Sequence, residues 1–165
     1  MQTHTEFMDT LTGEDAVEDA RLVRKRVLKS SISFQKITAK EIREELLILT
    51  MDEKVGSQSP WSIKVLEPQI MGLYHGTSEA ILGHAVAVGM AVRLGIKERA
   101  GEILQTKDLS DEDRDWALDF ASELIIPSYD LSQMLKKKYS YGQIIDTFQI
   151  NTSILASALE RIGAL

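Results

Sequence analysis

Over most of this chain, apolar residues recur three and four positions apart, the spacing of one helix face; they alternate clearly with polar ones in one place only. Thr12 with Asp15 resembles a capping pair opening a helix whose apolar face is Ala16, Val17, Ala20, Val23, Val27 and Leu28. Acids stand first in it (Glu14, Asp15, Glu18, Asp19) and bases last (Arg24, Lys25, Arg26, Lys29), as the helix dipole favours. A second box, Thr38 with Glu41, predicts a helix to about Leu49 with Ile42, Leu46 and Leu49 inward. Residues 1–11 have no clear period and read as a loosely docked lead-in, and 52–60 read as a loop. Trp61, Ile63 and Val65 alternate with Ser62 and Lys64, which places a strand at about 61–66, with another at 70–74.

Gly76 or Thr77 can cap the next helix, which runs to about Leu94 and has Gly95 as its stop. Ala80, His84, Ala87 and Ala91 share one of its faces, with Ala85 and Gly89 beside it; such small side chains admit another backbone and mark this helix as the centre of the core. A short helix is expected at 97–105. Ser110 with Asp113 opens another, carrying Trp116, Ala117, Phe120, Ala121, Leu124 and Ile125 at helical spacing and ending before Pro127. Three short helices follow near 129–138, 141–148 and 152–162; Ser140 with Gln143 caps the second, Asn151 or Thr152 the third. The expected fold is α+β: mostly helical, with a small two- or three-stranded sheet and a helical C-terminal subdomain. Its segments are residues 1–59, 60–127 and 128–165.

With 165 residues the chain can bury a sizeable core as one domain, and its net charge of -6 argues against broad binding to nucleic acid. Cysteine is absent, which excludes disulfides, thiolate metal sites and thiol nucleophiles. No apolar run approaches the roughly 20 residues of a membrane span, and the N-terminus does not read as a signal peptide, so a cytoplasmic protein is expected. Only His4, His75 and His84 offer imidazole, and Lys136, Lys137 and Lys138 form the one compact basic run. Neither a glycine-rich phosphate loop nor a G-x-S-x-G element occurs.

Ala117-Leu118-Asp119-Phe120-Ala121-Ser122-Glu123-Leu124-Ile125-Ile126-Pro127 resembles the E-A-N-x-F-A-x-x-L-L-x-P signature of the ImmA/IrrE family of zinc metallopeptidases. Ile144, Ile145 and Phe148, then Ile154, Leu155, Leu159, Arg161 and Gly163, resemble that family's closing L-A-x-x-F-x-V-S … R-L-x-x-L-G. Ala80-Ile81-Leu82-Gly83-His84 stands where such a family carries H-E-L-G-H. The resemblance covers roughly residues 60–165. It implies a zincin-like core, a cytoplasmic regulator and, as target, a transcriptional repressor of the helix-turn-helix type in a phage or mobile element.

The family's chemistry does not carry over. In H-E-x-x-H the histidines four apart grip one zinc and the glutamate activates its water. By the resemblance the first histidine falls on Ala80, the general base on Ile81 and the third ligand on Trp116, and only His84 matches. A rebuilt zinc site would have to draw on His84 with Glu79, Asp113 and Asp115; His75 and His84, nine residues apart, point to opposite sides of a helix. The expectation is therefore a frame of a metallopeptidase without catalytic residues or cofactor, acting on a repressor by binding, as an antirepressor that sequesters its target. His84 then reads as a relic ligand or as a core histidine. His75, Tyr139 and Tyr141 are candidate protein contacts. The competing readings are an active zinc peptidase, a structural module, and a DNA-binding regulator through residues 141–162, whose helix-turn-helix spacing comes with only Arg161 as a cation in the third helix.

Overall fold

The helix α4 (Ile81–Leu94) is apolar all round, and from Gly83 to Val92 every one of its residues is buried. The computed structural model of the protein describes residues 2–29, 34–51, 61–67, 69–74 and 81–165. Before α4 come α1 (His4–Asp9), α2 (Ala16–Leu28), α3 (Ala39–Glu45) and the strands β1 (Leu49–Thr50), β2 (Ser62–Glu67) and β3 (Ile70–Leu73). After it come β4 (Ile103–Gln105), α5 (Asp111–Ile125), α6 (Ser128–Lys136), α7 (Tyr141–Phe148) and α8 (Thr152–Arg161). The fold is α+β and mostly helical, and one apolar cluster runs from Phe7 to Leu159 through all three expected segments.

The helix α5 packs on α4, α2 and α8. Its approach to α4 is closest at Gly89, where an added Cβ would lie 3.0 Å from both the Ala117 carbonyl oxygen and Phe120 Cδ1. A glycine there lets the two backbones nearly touch. The small sheet has four strands in the order β1-β3-β2-β4, with β2 antiparallel to both β3 and β4 and β1 parallel to β3.

Two strands replace expected helix. The second helix ends at Glu45 instead of Leu49, because Leu47 takes a left-handed φ of 55° and sends the chain into β1; Leu49 is 56% exposed, not inward. Residues 97–105 form turns and β4, because Gly101 at φ +90° brings the chain back to β2, donating to the Val65 carbonyl at 2.7 Å. The lead-in is ordered too: α1 buries Phe7 and Met8, and His4 Nε2 donates to the Gln69 carbonyl at 2.7 Å. The cap of α2 is Asp15, accepting from the Glu18 amide, while Thr12 donates its own amide to the buried Asp19. The boxes at Thr38 and Ser140, and the single caps at Ser110 and Asn151, form as their residue types predict.

The C-terminal helices are clipped to α5 by one carboxylate. Glu123, 1% exposed, accepts from Arg161 Nη1 at 2.7 Å and from the amide and hydroxyl of Ser128 at 3.0 and 3.1 Å, with Arg21 Nε 3.6 Å away. Beside it Arg24 donates to the Leu124 carbonyl at 2.6 Å and to the Gln35 carbonyl, and burial pushes its guanidinium below the ordinary value. Removing one partner of such a cluster strands the others without water. Glu123→Ala is therefore expected to cost on the order of 3 kcal/mol in chemical denaturation, with α8 losing amide protection first. Gly89→Val is expected to lower the same unfolding free energy by about 2 kcal/mol through overpacking against α5. Unchanged midpoints would refute both assignments.

Candidate functional site

His84 is 0% exposed, on the side of α4 that meets α3, where Arg43 Nη1 lies 3.2 Å from its Nε2. A guanidinium only donates, so Nε2 accepts and the ring proton sits on Nδ1. The lone pair a metal would use at Nε2 is thus directed at a cation. Buried in this way, His84 is a core residue and offers nothing to a partner's surface.

Nine residues further on, Arg93 points the opposite way, roughly 180° around α4 and about 13 Å along it by helix geometry. Its Nε donates to Asp113 Oδ1 at 2.9 Å, its Nη1 to the Gly13 carbonyl at 2.7 Å, and its guanidinium lies 5.6 Å above the Trp116 ring. Trp116 in turn donates through Nε1 to the Glu14 carbonyl at 3.0 Å and stacks on Phe120 at 5.8 Å. Trp116 therefore ties the loop before α2 to α5 and does not fill a cavity beside His84. Nor does the structure bring Asp113 to His84. Asp115 stands in a third place, described below. Ile81 packs against the core, while His75, Glu79 and Ala80 lie outside the described residues. Among the described residues no three of His, Cys, Asp and Glu are grouped to hold a metal.

The two tyrosines are not one exposed patch. Tyr139 is half-buried with its ring 6.2 Å from Phe34, and only Tyr141 is well exposed, at 51%. The lysine run is solvent-facing, with Lys137 Nζ 5.3 Å from the Phe34 ring.

A groove of about 520 Å³ lies between α5 and α8 and reaches the start of α4. Asp115, Leu118, Asp119 and Ser122 supply the α5 wall, Ser153, Ile154, Ser157, Glu160 and Arg161 the α8 wall, and Leu82 comes from α4. Each wall is a single helix stripe, at spacings of three and four. The groove is acidic, because Arg161 is already engaged by Glu123 while Asp115, Asp119 and Glu160 face it. Loss of hydration pushes the Asp119 carboxyl above its ordinary value; Arg161 opposes the shift and Asp115 adds to it. The Ser122 hydroxyl, in a residue 6% exposed, has no hydrogen-bond partner among the described residues. Among the described residues no histidine or lysine lines the groove and none of its carboxylates is hydrogen-bonded to its serines, so its chemistry suits binding.

Nothing in the periodicity marks this groove. Its only trace is a second stripe of acidic and hydroxyl residues on two helices that are far apart in the chain.

Arg93, first by its hydrogen bond, holds Asp113 below its ordinary 3.8. A depressed carboxylate gives stability that is complete above the unfolded value and lost as pH falls through the folded one. Asp113→Asn should thus lower the unfolding midpoint at neutral pH, and the gap from wild type should close below about pH 4. A gap that widens on acidification would contradict this.

No family model, curated protein or solved structure matches this chain.

Proposed function

We propose that the protein regulates by binding another protein and not by cutting it: an ImmA/IrrE-like pseudoenzyme whose partner is a helix-turn-helix repressor of a phage or mobile element, held as by an antirepressor. The observation that carries this reading is the acidic groove between α5 and α8, which has apolar side chains within it and, among the described residues, no base hydrogen-bonded to its serines. A surface that repels phosphate and attracts lysine and arginine favours a DNA-binding protein over DNA itself. The same acids weigh against residues 141–162 as a DNA reader, since α8 turns Ser153, Ser157 and Glu160 outward. His84, with Arg43 beside it, supports a role that needs no metal. Among the described residues no helix is long and apolar enough to cross a membrane.

Sequestration is stoichiometric, so repressor release should rise linearly with this protein up to equivalence. The full chain, purified without chelator, is mixed with a helix-turn-helix repressor of the same phage or mobile element; operator release, repressor mass and zinc content are then read together. Release with the repressor at unchanged mass supports the proposal. A shortened repressor and about one zinc per chain would establish the peptidase instead, and operator binding by this protein alone would establish the DNA reader.

A further inference from the structure

Resting on that protein-binding reading, we infer that the α5–α8 groove takes a cationic amphipathic helix. The helix seats an apolar side chain between Leu82, Leu118 and Ile154 and sets lysine or arginine against Asp115, Asp119 and Glu160.

Four observations converge. The volume, about 520 Å³, is that of a side-chain or small-ligand cleft and holds the projecting residues of one helix face. Both walls are helices whose backbone groups are spent internally, so an extended peptide would leave its own amides and carbonyls unpaired there, whereas a helix brings its own satisfied. Along α8 the outward residues before Glu160 include the small Ser153, Ala156 and Ser157, which lets a second helix come close. Independently of charge, the Ser122 hydroxyl is buried, without a partner among the described residues, three positions from Asp119 on the same wall. An ammonium or guanidinium entering the groove meets Asp119, beside a hydroxyl whose hydrogen-bonding capacity is unused. The Asp119 carboxylate, exposed but partly desolvated, is favoured in its charged form by that contact.

Such a helix is also what reads a DNA groove, so an occupied partner would be barred from its operator by simple overlap. Sequestration then needs no conformational change in either protein.

The test uses the full chain and three fluorescein-labelled helical peptides of about 15 residues. One has leucine at every third and fourth position flanked by lysine, the second has glutamate for each lysine, and the third is the first scrambled to destroy its apolar face. Binding is read by anisotropy. Only the first should bind, more weakly as salt rises. Asp115→Lys with Asp119→Lys should weaken it at least tenfold, while Glu44→Lys with Glu98→Lys, the same charge change at exposed positions on other elements, should not. Circular dichroism confirms that both variants are folded. Equal binding of the scrambled peptide, or equal loss in the control variant, would overturn the inference, as would unchanged binding in the groove variant. If the groove variant still holds the intact repressor, the groove is wrong and the protein-binding reading stands. Should the peptide bind but the repressor be cleaved, the reading fails and the groove stands.

Discussion

The approach of α4 to α5 at Gly89 is the constraint from which the rest of the molecule follows. A helix buried from Gly83 to Val92 has no polar face to turn to water, so it needs neighbours on every side. The nearest of them is α5, close enough that a single methyl group would press on the Ala117 carbonyl. With α4 and α5 locked, α2 settles on α5, α3 on α4, and α8 on the remaining side of α5. The polar clips serve this packing. Arg93 joins α4 to the start of α5 and to Gly13, and Arg24 reaches the carbonyls at the end of α5.

Glu123 links the fold to the proposed function. By holding Arg161 it fixes α8 against α5 and also engages the one cation among the groove's described residues, which leaves Asp115, Asp119 and Glu160 with no cation hydrogen-bonded to them. A structural ion pair thus sets the sign of a surface. That coupling explains how a core position with no solvent contact can matter for recognition, and why Arg161, read from the chain alone as the third helix's only base, is not available to phosphate.

Much of the helical architecture was legible in the chain because its signals are local. Caps such as Thr38, Ser110, Ser140 and Asn151 act over three residues, and the spacing from Trp116 to Ile125 is complete within one helix. The strands β1 and β4 were hidden, since each is defined by a distant partner and a left-handed residue, Leu47 or Gly101, that no periodicity reveals. The same holds for α1, whose Phe7 and Met8 find their burial in residues far along the sequence. At the site, identity was easier to read than place. His84, Asp113, Asp115 and Trp116 look like neighbours of one centre when written in a line. In space they serve a part-buried imidazole–guanidinium contact, a clip at the far end of α4, and a groove wall. The groove itself joins two stripes from α5 and α8, and only the folded chain brings these together.

The most direct measurement is hydrogen exchange of the full chain with and without an equivalent of intact repressor. The account predicts new protection confined to residues 115–122 and 153–161, with the repressor's mass unchanged throughout. Protection centred instead on α3 and the His84 end of α4, or fragments of repressor appearing with time, would contradict it.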